Sequence, residues 1–182
     1  MNRAAEFVAY QLVWFAAVIG AGAGLWWAGL AAAVPLAVWQ VATATRPART
    51  SMLGIVGLAC GLVVDGGLAA LDILRHAAQP AAWPAPPPWI LALWAVFAMT
   101  LHRSLDMLRG RPLLAAALGL VGGPAAYFAA ARGWTAVQFV PPVPVALAWL
   151  GMAWAGALAL LATVARVPAS DRSAAILPDA HA

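Results

Sequence analysis

The sequence predicts an all-α fold: a polytopic membrane protein built as a bundle of six transmembrane helices, with the N-terminus and the C-terminus both cytoplasmic. Three observations lead there. Of the 182 residues 65% are hydrophobic and 9% charged, whereas soluble domains carry roughly a quarter charged residues. The apolar residues come in runs close to the ~20 needed to cross a hydrocarbon layer of about 30 Å at about 1.5 Å per residue. The basic charge is all arginine, placed singly or in small groups between those runs.

The runs lie at residues 5–22, 25–43, 52–74, 89–108, 112–131 and 143–166. The linker GAGAG joins the first two and is too short for anything but a tight helical hairpin. Arg3 ahead of an apolar run resembles the start of a secretory signal, but Glu6, Tyr10 and Gln11 interrupt that run and a second one follows at once, which favours a retained hairpin. Two later connectors, RHAAQPAAWPAPPPW and FVPPVPV, are rich in proline, which starts helices well and cannot donate a backbone hydrogen bond. They read as stiff interfacial links, with Trp83, Trp89, Trp134 and Trp149 at or near the outer headgroup level. One transmembrane domain, 1–167, is followed by a small, polar stretch, 168–182, expected to be a disordered cytoplasmic tail.

Arginine is retained on the cytoplasmic side of a membrane, so its distribution orients the chain. With the N-terminus inside, the inner segments hold Arg3, Arg46, Arg49, Arg103, Arg109, Arg111, Arg166 and Arg172, and only Arg75 and Arg132 fall outside. The net charge of +4 is thus a topology signal. Nucleic-acid binders cluster their basic residues on one exposed face, so no nucleic-acid partner is expected. The single cysteine, Cys60, forms no internal disulfide and reads as a small buried hydrophobe.

A charge deep in hydrocarbon costs at least about 2.5 kcal/mol on insertion scales and needs a partner, a water path or a task. Asp65, in CGLVVDGGLAAL, lies about 20 Å along a helix entering at Met52. Tyr127, about 22 Å along the fifth run, comes level with it, next to Gly122, Gly123 and Pro124. Proline frees a helical carbonyl and glycine admits a neighbouring helix, so Asp65 is expected to face Tyr127 and a broken backbone. A purely structural hydrogen bond between helices is the plainer alternative. In FAMTLHRSLDMLRGRP, Asp106 stands four residues from His102 and three from Arg103 and Arg109. On one helical face it neutralises a small cluster, and Arg103 is shallow enough to snorkel. A charged hem fits better than a catalytic site. Gln11 and Gln40 lie within about two turns of the inner surface and extend this layer toward a polar pocket between the first, second and fourth helices.

The chain carries no nucleophile elbow, phosphate loop or histidine pair at metal-ligand spacing, since His76 and His102 belong to opposite sides. No metal site and no cofactor is expected.

The segments FVAYQLVWFAAVIGA, LVVDGGLAAL, PPPWILALWAVFAMTLHRSLDML and GGPAAYFAAARGWTAVQF resemble an uncharacterised family of bacterial inner-membrane proteins, the domain-of-unknown-function family numbered 2878. The likeness is specific in the fourth-helix segment and looser elsewhere. The family's pattern reads Thr-Leu-Asn-His-Ser-Leu where this chain has TLHRSL, so His102 takes the asparagine position and Arg103 the histidine position, and histidine chemistry does not carry over. Ser104, Asp65, Pro124 and Tyr127 match. The resemblance implies a multi-pass protein of the bacterial inner membrane with no assigned activity, and a weak link to fatty acyl metabolism.

The leading expectation is a noncatalytic accessory component that binds membrane lipids, a partner membrane protein or a second copy of itself. One rival is a small transporter or channel using Asp65 and Tyr127, hinged at Pro124. The other is an intramembrane lipid-modifying enzyme using His102, Arg103, Asp106 and Ser104.

Overall fold

Proline sets where most of the helices begin. In the computed structural model, which describes residues 3–80, 85–140 and 142–166, helix α1 spans Arg3–Gly22, α2 Ala28–Ala42, α3 Pro47–Ala70, α4 Pro88–Met99, α5 Pro112–Trp134 and α6 Val143–Val164. Helices α3 to α6 each carry a proline at one of their first two positions, where its missing N–H would have no helical partner anyway and its fixed φ suits the first turn. The predicted tail, Trp83 and Arg172 lie outside the described residues.

The six helices run alternately up and down, but six membrane crossings are not what they form. Four helices, α1, α3, α5 and α6, are long and apolar enough to cross a membrane. With 15 residues α2 is about 22 Å long, and with 12 residues α4 is about 18 Å, against a layer of about 30 Å. The predicted six-span bundle is corrected accordingly, to four helices that meet the length and hydropathy of a span. The physical reason is local. The apolar run at 25–43 loses its first turn to the reversal that follows Gly24, whose φ of +80° suits glycine. The run at 89–108 is cut at Thr100, whose hydroxyl donates to the Phe97 carbonyl and so competes with the helix ladder. Beyond it the chain makes two 3-10 turns, Thr100–His102 and Asp106–Leu108, the tighter form used in short pieces. Hydropathy registers apolar length; it does not register where the backbone turns. The protein is a multi-pass membrane protein all the same.

Glycine sets how closely the short α4 seats on α3. A Cβ at Gly57 would lie 2.5 Å from Ala98 Cβ, and one at Gly61 would lie 2.5 Å from Trp94 Cδ1, so the bare backbone of α3 is the seat of Trp94. Helices α5 and α6 approach in the same way, small residues replacing a hydrophobic driving force that lipid does not supply. Pro124 sits inside α5 without ending it, so the expected broken backbone is absent and the helix is continuous from Pro112 to Trp134.

At one end of the bundle the chain forms a two-stranded antiparallel ribbon, β1 (Leu74–His76) with β2 (Val137–Phe139), in the register Leu74↔Phe139, Arg75↔Gln138 and His76↔Val137. Alternation along β1 puts Leu74 and His76 on the inner side and Arg75 on the outer. The ribbon caps the helix ends. Trp89 is fully buried beneath it and donates Nε1–H to the Ala77 carbonyl at 3.1 Å, so it is a core residue and not an interfacial anchor. Trp149 is half exposed, as a lipid-facing tryptophan would be.

Candidate functional site

Two polar centres lie at opposite ends of the helices. The first is built on Asp65 of α3, which has no exposed surface. Its Oδ2 accepts the Trp94 indole N–H from α4 at 2.6 Å. The Tyr127 hydroxyl of α5 lies 2.8 Å from Oδ1 and 2.9 Å from Oδ2. His76 Nε2 reaches Oδ1 from β1 at 2.7 Å. Tryptophan can only donate and a carboxylate can only accept, so each contact to Asp65 pairs a donor with an acceptor, and the unmatched buried atom beside the set is the indole Nε1 of Trp154. Trp94 stacks in turn on Trp154 of α6, with ring centroids 4.2 Å apart. The structure thus brings Asp65 and Tyr127 together as hydrogen-bond partners, while Pro124 is one α5 turn from Tyr127 and packs toward Gly151. Trp94 and His76 did not emerge from the sequence. Nothing sets Trp94 apart within its apolar run, and His76 lies beyond the end of α3, returning to Asp65 only because the chain reverses at Asp72, with φ of +51°.

The second centre occupies the end where α1, α3 and α5 begin and α2, α4 and α6 finish. Its floor is Glu6 of α1, 1% exposed, and Gln40 of α2, 2% exposed. Gln40 Nε2 donates to Glu6 Oε1 at 3.1 Å and to the Val96 carbonyl at 3.3 Å. The other Glu6 oxygen accepts the Ser104 backbone N–H at 2.8 Å. Above this floor lies a cavity of about 330 Å³ walled by Arg46, Arg49, Arg103, Arg109 and His102, with exposed Thr45 and Arg46 at its edge. Among the described residues that line the cavity, two buried atoms have no partner, Gln40 Oε1 and His102 Nε2. Glu6 was missed in the sequence because an acid in the first turn of a helix is ordinary; here it is buried.

The charged hem expected at 102–109 takes a different form. Because α4 stops at Met99, His102, Arg103 and Asp106 do not share a helical face. Asp106 pairs with Arg3 of α1. Arg103 donates to the Thr43 carbonyl at 2.8 Å and lies 4.8 Å from the Trp39 ring centroid, strapping the end of α2 to the turn after α4. His102 has its pKa held below the usual histidine value, chiefly because burial disfavours the charged ring; a backbone hydrogen bond at Arg49 opposes this, the charges of Arg109 and Arg49 add to it, and Glu6 opposes it.

Gln11 and Ser104 face a separate, mostly apolar cavity of about 380 Å³ between α1, α5 and the end of α4, lined also by Tyr10, Trp14 and Trp154. The Ser104 hydroxyl is buried there without a partner. Among the described residues, no three His, Cys, Asp or Glu side chains gather as a metal site would require.

The family described as "Protein of unknown function (DUF2878)" matches residues 3–160. No curated protein and no solved structure matches the chain.

Proposed function

We propose, from the premise that the chain belongs to the DUF2878 family of proteins of unknown function, that it is a noncatalytic binding component of the bacterial inner membrane. It holds a phosphate-bearing lipid headgroup in the arginine-walled cavity. The observation that carries this is the cavity of about 330 Å³ whose walls include Arg46, Arg49, Arg103 and Arg109 over a floor with one carboxylate, Glu6. Guanidinium groups present forked donors that match phosphate oxygens, and the excess of positive charge selects an anion. The cavity lies where the helices end, at headgroup level, and the arginine asymmetry supports the cytoplasmic face.

Two features support a lipid over a partner helix. The cavity is too small and too polar to admit one. The neighbouring apolar cavity of about 380 Å³ shares the Ser104 turn and offers space for an acyl chain.

The test is phospholipid retention. The full chain purified in a mild detergent is expected to keep bound phospholipid, counted by phosphorus assay and native mass spectrometry. The Arg49→Ala/Arg109→Ala variant is expected to keep at least about tenfold less, since each charge-assisted hydrogen bond contributes about 1.5–3 kcal/mol. Equal retention in a well-folded variant overturns the proposal.

A further inference from the structure

The floor and the walls of the arginine pocket have opposite hydrogen-bonding characters. The walls donate: arginine has no acceptor. The floor accepts, and the geometry shows why. Gln40 faces two acceptors, Glu6 Oε1 and the Val96 carbonyl, so its NH₂ must point at them. That fixes the amide orientation and leaves Oε1 as the atom without a partner, in a side chain 2% exposed. His102 supplies a second unpartnered atom, Nε2. In the neutral ring with its proton assigned to the other nitrogen, toward the Arg49 backbone, Nε2 is an acceptor. Glu6 adds carboxylate lone pairs that the Gln40 amide and the Ser104 N–H leave open among the described residues. Buried acceptors without donors destabilise the pocket, and a phosphodiester alone relieves none of them, since it brings only acceptors.

We infer that the headgroup bound here is an aminoalkyl phosphate, its phosphodiester against Arg46, Arg49, Arg103 and Arg109 and its ammonium N–H groups pointing down onto Glu6, Gln40 Oε1 and His102 Nε2. This rests on the phosphate-binding reading and goes further by naming the ligand's other end. An ammonium supplies three donors, matching three acceptors. The pocket then reads polarity: anion at the mouth, cation at the floor. A quaternary ammonium of the same charge fails because it has no N–H to give.

The experiment is a titration of the full chain in detergent micelles with dihexanoyl lipids that share one phosphodiester charge: phosphatidylethanolamine, its N-methyl and N,N-dimethyl derivatives, phosphatidylcholine and phosphatidylmethanol. Binding is expected to weaken stepwise with each methyl, with phosphatidylethanolamine at least about tenfold tighter than phosphatidylcholine and phosphatidylmethanol, the loss of one or more charge-assisted hydrogen bonds. If phosphatidylmethanol binds as tightly as phosphatidylethanolamine, the ammonium site is overturned and the phosphate pocket stands. If no phosphodiester lipid binds, both fall. Glycerophosphoethanolamine separates the sources: affinity at least about tenfold weaker than the lipid's assigns the site to a membrane headgroup, whereas equal affinity assigns the same chemistry to a soluble phosphodiester. His102→Phe and Gln40→Leu are expected to narrow the ratio between phosphatidylethanolamine and phosphatidylmethanol. An unchanged ratio in both, with normal elution, overturns the floor assignment. The ligand series on the wild-type chain decides the matter should either variant not fold.

Discussion

The Asp65 centre and the Glu6 centre both bury a carboxylate among helices, yet one is closed and the other is open. Around Asp65 the three groups that reach the carboxylate lie within 2.6–2.9 Å, the carboxylate has no exposed surface, and the unmatched atom nearby, Trp154 Nε1, belongs to the ring stacked on Trp94. Around Glu6 a cavity remains and two buried atoms go unmatched. The difference teaches how to separate cement from site in a membrane protein. Depth alone marks a polar residue as unusual, because hydrocarbon offers no partner. Completeness of the hydrogen-bond set then divides residues that tie helices together from residues waiting for a ligand. By that measure Asp65 ties α3, α4, α5 and the ribbon into one unit, and the arginine end is where we propose a ligand binds.

The sharpest way to break this comparison is to remove the acceptor at the closed centre. Asp65→Ala leaves the Trp94 indole, the Tyr127 hydroxyl and His76 without their partner in a buried site, and breaking such a set from one side costs about 3–5 kcal/mol. Thermal unfolding of the purified protein should show a larger drop than any single substitution at the arginine end produces, while phospholipid retention per folded molecule stays normal. Loss of retention with unchanged stability would reverse the two roles and restore Asp65 as a functional residue.

Much of this contrast was written in the sequence, and the rest was hidden for physical reasons. Asp65 and Tyr127 were legible because depth along a helix is simple arithmetic, about 1.5 Å per residue, and both sit in helices without an interruption. Length misled where the backbone turned inside an apolar run. Thr100 is followed by Leu101 and looks harmless in hydropathy, yet its hydroxyl bond to Phe97 coincides with the end of α4, and with α4 went the shared face of His102, Arg103 and Asp106. Gln11 and Gln40 were both expected in a polar pocket between the first, second and fourth helices; Gln40 lines the arginine-walled cavity, whereas Gln11 lines the apolar cavity beside Ser104. Glu6 passes for an ordinary first-turn acid, and it shares a second obstacle with His76: each finds its partner through a chain reversal, and single-residue depth carries no information about reversals.

At the open centre the sharpening variable is pH. Burial, before any other cause, holds the His102 pKa below its ordinary value, so Nε2 remains an acceptor through neutral pH. The preference for phosphatidylethanolamine over phosphatidylmethanol should therefore hold from about pH 8 to about pH 6.5 and shrink severalfold on further acidification, as the ring gains a proton and Nε2 becomes a donor. Stability carries the same sign. The unfolded chain takes up that proton near pH 6.5 while the folded chain resists it, so the unfolded state binds more protons in that window and stability falls as pH falls through it. A preference flat down to about pH 4.5 would remove His102 from the floor.

The smallest effect is expected beside the closed centre. Asp72 and Arg75 form a pair with contacts of 2.9 and 3.1 Å, close to the 2.7 Å between His76 and Asp65, only a few residues along the chain from it. Distance would rank the two alike. Burial does not: the Asp72 and Arg75 side chains are 58% and 61% exposed, those of Asp65 and His76 0% and 3%. Water replaces whatever Arg75 loses, and the turn at Asp72 owes its shape to the backbone. Arg75→Ala should leave the unfolding temperature and phospholipid retention within experimental error, whereas His76→Ala, which strips one donor from a sealed carboxylate, should lower the unfolding temperature clearly. Equal shifts in the two variants would mean that proximity, and not the completeness of a buried set, is what distinguishes the two ends of this molecule.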